Sequence, residues 1–151
     1  MASQTAYDAV RDHLCGVYAR TYPVLDFDHI EPQLEQSTEV FMALEDVSST
    51  EEMSGFGDQS QLCIRESGVI VIYVFAPSPE SSRVLRELLD DVRNNVRYRA
   101  LGNVRLSEAS PPDIDALNNG LWSIGSVALS YDYDFHQSRS LGGSLDGRRL
   151  C

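Results

Sequence analysis

The chain has 151 residues, enough for one domain that buries its own core without a metal or a disulfide. Hydrophobic residues make up 42% and aromatic residues 9%, which excludes both intrinsic disorder and a membrane-protein composition. Acidic residues outnumber basic ones by 23 to 12, for a net charge of −11. Attraction to phosphate depends on cations, so nucleic-acid binding and docking on an anionic membrane are excluded as the main role.

The first residues show neither a basic segment nor an apolar one, so no secretory signal is expected. The longest strongly apolar stretch, residues 69–76, is too short to span a bilayer. Cys15, Cys63 and Cys151 are scattered without metal-binding or redox spacing. They are predicted to be reduced thiols in a cytosol-like compartment.

Apolar residues at helical spacing predict a first helix that begins after Ser3 and ends near residue 20. An acidic connector follows over residues 24–36. Residues 40–47 are typical of a strand, and residues 48–60 are predicted to form a long loop.

Residues 61–65 and 69–75 are strand-like and are separated by a break at Gly68. A hairpin and one long strand with a bulge at Gly68 both remain open. The run 69–75 is apolar on both faces, which indicates a central strand covered on both sides.

Ser78 as N-cap and Pro79 as the first helical residue predict the start of an amphipathic helix that ends near Tyr98, with an apolar stripe on one side and a charged face on the other. That charged face is either solvated or an arginine-rich subunit contact. A strand begins at Val104 and is broken by Pro111 and Pro112, and strict alternation over residues 126–135 predicts a strand with one buried face.

The order of these elements predicts an α+β fold. We expect a single domain over residues 1–136, with a mixed or antiparallel sheet of about four strands and two main helices packed on one face. Residues 137–151 are predicted to be a flexible tail that contains glycine and arginine.

Two polar clusters are candidates for chemistry. Asp132, Asp134 and His136 alternate along one strand face, where they either hold a metal or are simply an exposed strand end. Residues 26–31 form an acidic patch without the spacing or glycine of a calcium loop. No nucleophile elbow, zinc-protease, dinucleotide or P-loop motif occurs, so we predict no catalytic residue, no bound metal, no cofactor and no enzymatic activity.

The second half of the chain resembles the tail terminator, or tail completion, proteins of long-tailed bacteriophages and of phage-like particles such as gene transfer agents. The resemblance rests on three stretches in order. They are the glycine-led apolar strand 67–77 ending in Phe75-Ala76-Pro77, the helix 82–98 with the following 102–106, and the stretch from Gly120-Leu121-Trp122 to the alternating strand ending at Phe135.

This resemblance implies a structural virion protein that forms a hexameric ring on the end of the tail tube. Such a ring terminates tube polymerisation and provides the surface in the neck for head–tail joining, while DNA passes through without specific binding. Its partners would be copies of itself, the tail tube protein and head–tail connector proteins, in a virion assembled in the host bacterial cytoplasm.

The candidate subunit or tube contacts fall in three groups. The helix contributes Arg83, Arg86, Arg93 and Arg97, the loop before the apolar strand contributes Met53 and Phe56, and the tail contributes Arg139, Arg148 and Arg149. Charge reversal at Arg93 or Arg97 is expected to weaken ring formation. Two alternatives stay open: another head–tail connector subunit, and a small monomeric ligand-binding or regulatory domain.

Overall fold

The computed structural model describes residues 4–36, 39–56, 61–77, 82–116, 122–138 and 148–150. Eight strands in these ranges join one mixed sheet, which curls into a half-barrel. The helices are α1 (Gln4–Tyr18), α2 (Glu31–Gln36) and α3 (Ser82–Val96), with a short 3₁₀ helix at Phe27–His29. The strands are β1 (Val24–Asp26), β2 (Phe41–Phe56), β3 (Gln61–Pro77), β4 (Ala100–Leu101), β5 (Val104–Ala109), β6 (Asp113–Ala116), β7 (Trp122–Ser138) and β8 (Arg148–Leu150).

Three long strands, β2, β3 and β7, form the centre of the sheet. The order across it is β1-β2-β3-β7-β5-β4, and β6 and β8 also pair with β7. Only the β1–β2 pair is parallel among the described pairs. The apolar run 69–75 therefore belongs to a central strand, as predicted, because β3 has a long partner on each side. The predicted cover on both faces is incomplete, since Val69 and Val71 are only half-buried.

One face of the sheet carries the main core. The even-numbered residues of β3 and the odd-numbered residues of β7 pack with the apolar stripes of α1 and α3. Val10 and Leu14 of α1 and Leu85 and Leu89 of α3 are fully buried there. At this interface the apolar stripes of the helices pack against the apolar face of the strands, and both are visible in the sequence as periodic patterns.

The acidic connector covers part of the opposite face. Phe27, Ile30 and Leu34 pack against a buried aromatic group, in which Phe41 and Phe75 stack with ring centroids 4.6 Å apart. The connector over residues 24–36, which is acidic in composition, thus also contributes apolar side chains to a second, smaller core. Beyond this cluster, toward the β2–β3 turn, the second face carries mostly small and charged residues.

The register of β2 and β3 shows whether the chain turns at Gly68 or continues through it as one strand. Residues 61–77 are one long strand, and it forms a hairpin with β2. The irregularity lies in β2, between Asp46 and Ser48, beside the position where Ser49 pairs with Gly68. A Cβ at Gly68 would lie 2.3 Å from the Ser48 backbone oxygen, so the close approach of β2 requires glycine here.

The predicted fold class is wrong. Strand residues make up 51% of the chain, the sheet is far larger than four strands, and only two helices have seven or more residues. The error has two sources. Residues 48–56 continue β2 rather than forming a loop, because β3 offers a hydrogen-bonding partner along this stretch, which outweighs the low strand propensity of glutamate. In addition, β1, β4, β6 and β8 have two to four residues each, too few for a periodic pattern.

Three other element predictions are confirmed with shifts of a few residues. The first helix ends at Tyr18, the arginine-bearing helix spans Ser82–Val96, and the alternating strand spans Trp122–Ser138. The predicted helix start at residues 78–80 lies outside the described residues, and residues 137–138 and 148–150, predicted to belong to a flexible tail, lie in β7 and β8. Pro111 and Pro112 separate β5 from β6, as expected. In the part of the chain that the structure describes, no helix is both long enough and apolar enough to cross a membrane.

Candidate subunit interface

The α3 arginines differ in what they already contact. Arg93 is held inside the subunit: its side chain is only 24% exposed, and its Nε donates to the Ala109 carbonyl at 2.9 Å. Its Nη2 also lies 3.4 Å from Glu108. Arg93 therefore ties α3 to β5. We expect reversal of its charge to destabilise the subunit itself, whether or not a partner contacts this position.

Two α3 arginines remain available to a partner. Arg83 pairs with Glu87 one turn later at 3.0 Å, but both side chains are largely exposed, so the pair is worth only about 0.3–0.5 kcal/mol. Arg86 is exposed and makes no ion pair with any described residue. Arg97, just after the last turn, is half-buried.

The remaining candidates lie at the far end of the sheet. Met53 is 56% exposed on β2, and Phe56 ends that strand, where its backbone pairs with Leu62. Arg148 and Arg149 lie in β8, in register with Gln137 and His136 of β7. Arg139 lies outside the described residues, as does most of the predicted tail.

Asp132 and Asp134, considered above as metal ligands, pair with arginines instead. Arg65 Nε donates to Asp134 at 2.9 Å, and Arg105 Nη2 lies 2.5 Å from Asp132 and 3.3 Å from Asp134. The hydrogen bond from Arg65 is the main reason that the pKa of Asp134 falls below its usual range. These four side chains cross-link β3, β7 and β5. Among the described residues, no group of three or more His, Cys, Asp or Glu side chains could hold a metal ion.

The acidic patch of residues 26–31 is also used structurally. Asp26 accepts a hydrogen bond from the hydroxyl of Tyr7, which links β1 to α1. Burial, reinforced by this hydrogen bond, raises the pKa of the Tyr7 hydroxyl. His13, near Cys15 in the sequence, donates from Nε2 to the Asn95 carbonyl at 2.9 Å and so joins α1 to α3.

A shallow groove of about 400 Å³ opens between the irregular part of β2 and the middle of β7. Hydroxyl side chains dominate its lining: Ser48, Thr50, Ser67, Ser107 and Ser130. Its one acidic group, Asp132, is paired with Arg105. Among the described residues, the lining contains no histidine or cysteine.

Sequence reasoning named Met53 and Phe56 on the edge of β2 and missed Val47, Glu51 and Glu52. Val47 is 52% exposed, Met53 is 56% exposed, and Glu51 and Glu52 lie exposed between them. The signal was present in the sequence as a mixture of aliphatic and acidic residues. It was hidden because residues 48–60 lacked a clear alternation and were interpreted as a loop.

Comparisons with known proteins identify the fold and not a family. No protein-family model matches the chain, and no curated protein matches it. The fold does occur among solved structures. One of them, whose name describes no activity, matches with a TM-score of 0.53 over 88% of this chain and 96% of its own length. Its sequence is 16% identical, so the match establishes a shared fold alone.

Proposed function

We propose that the chain is a structural virion protein of the tail terminator class, which assembles as a ring on the end of a tail tube. The observation that carries the proposal is the outer edge of β2. From Glu45 to Phe56 this strand pairs with β3 on one side, and no described strand covers its other side. Its two register breaks and the exposed Glu51 and Glu52 discourage the addition of a strand, but the exposed Val47 and Met53 leave apolar side chains at this edge for contact with another chain.

The residues with catalytic potential support the same proposal. Asp132, Asp134, Asp26 and His13 each hold one element of the fold against another. The exposed side chains that remain, on β2 and α3, are suited to contact with another protein rather than to chemistry.

The particular assignment to tail terminators rests on the sequence resemblance. The three stretches that carry it correspond to β3, α3 with the β4–β5 hairpin, and β7, which pack together around the main core. The acidic composition also suits a ring around a DNA passage, since carboxylates repel phosphate.

The test is a tube-capping assay. The purified chain is measured by light scattering and negative-stain imaging, and is then added to polymerising tail tube protein from the same source. We expect six-fold rings with a central hole, and tubes that stop growing with a ring at one end. Tubes that reach the same lengths with and without the chain would contradict the proposal.

A second candidate function is a monomeric ligand-binding domain, which the 400 Å³ groove favours by its size. Its polar lining would suit a hydroxyl-rich small molecule. Saturable binding of such a compound by calorimetry, in a chain that stays monomeric and does not cap tubes, would favour this function instead.

A further inference from the structure

We draw no further inference here: the strongest candidate, the apolar patch near the tip of the β2–β3 hairpin, where Met53, Leu62 and Ile64 share one face of the sheet, carries nothing, because nothing in the described part of the structure shows what covers it.

Discussion

At Gly68 the structure leaves no room for a side chain. A Cβ there would lie 2.3 Å from the Ser48 backbone oxygen and 2.6 Å from the Tyr131 hydroxyl. Tyr131 lies across Gly68 in the register, and its hydroxyl donates to the buried Glu66 at 2.9 Å. The glycine therefore lets the irregular part of β2 and the ring of Tyr131 approach β3 together.

Gly68→Ala should lower the free energy of unfolding by about 1–3 kcal/mol, because a backbone oxygen cannot move aside cheaply. Gly16→Ala is the matched control. A Cβ at Gly16 meets nothing within 4 Å, and the residue lies in α1, so this change should stabilise by roughly 0.5–1 kcal/mol. Urea unfolding of both variants measures the difference, and equal effects would contradict the role given to Gly68.

Arg93 and Arg86 occupy the same helix but should respond differently to removal. Arg93→Ala loses the bond to the Ala109 carbonyl and should lower the free energy of unfolding by about 1 kcal/mol or more. Arg86→Ala should stay within about 0.5 kcal/mol of wild type, because Arg86 is exposed. Thermal or urea unfolding checks this, and equal stability of the two variants would return Arg93 to the list of contact residues.

At the scale of elements, α3 approaches β7 closely at Gly125. A Cβ at Gly125 would lie 2.2 Å from Cδ1 of Leu89, which is fully buried in the main core. The clash is with the end of a side chain, so room can be made by shortening that side chain. The contact sets how near the helix lies to the sheet.

Gly125→Ala and Leu89→Val should each destabilise, by about 1–3 and about 1 kcal/mol. The double variant should be more stable than the sum of the single effects predicts, with a coupling of at least about 0.5 kcal/mol. A double-mutant cycle measured by urea unfolding gives this coupling. Additive effects would show that Leu89 does not limit the approach of α3.

The ion-pair network across β3, β7 and β5 makes the sheet sensitive to acid. The folded pKa of Asp134 lies below the unfolded one, first through Arg65 and then through Arg105. Its contribution to stability is therefore complete above the ordinary aspartate pKa. That contribution is lost as the pH falls toward the lowered value.

Asp134→Asn should flatten the fall in unfolding free energy between about pH 5 and pH 2, relative to wild type. Arg65→Met removes the largest cause of the lowered pKa and should flatten it in the same direction. Urea unfolding at a series of pH values measures both slopes. A variant slope as steep as that of wild type would show that Asp134 is not a source of this dependence.

At the scale of the whole molecule, the excess of carboxylates over arginines opposes binding to nucleic acid. With 23 carboxylates and 12 arginines, neutralising a row of phosphates would leave most of its acids close to DNA. We expect no retention of duplex DNA by fluorescence anisotropy at about 0.15 M salt, in assembled or unassembled protein. Binding that weakens steeply with added salt would indicate a basic surface formed on assembly.

The sequence by itself determined the elements with long periodic patterns, namely α1, α3, β7 and the central position of β3. Side-chain periodicity is a local property, so ten or more residues of it identify both the element and its buried face. Composition likewise predicts that binding nucleic acid is not the main role. The resemblance in residues 67–135 supplied the functional hypothesis that the proposals above develop.

Only the tertiary structure decided the size of the sheet, the continuation of β2 and the roles of the charged residues. Strands of two to four residues exist because a neighbour offers hydrogen bonds, and their own sequence carries no comparable signal. Asp132 and Asp134 have the spacing of metal ligands, yet Arg65 and Arg105 come from strands 27 to 69 residues away along the chain. Pairing across such distances depends on the register of the sheet, and for that reason it could not be predicted from local spacing.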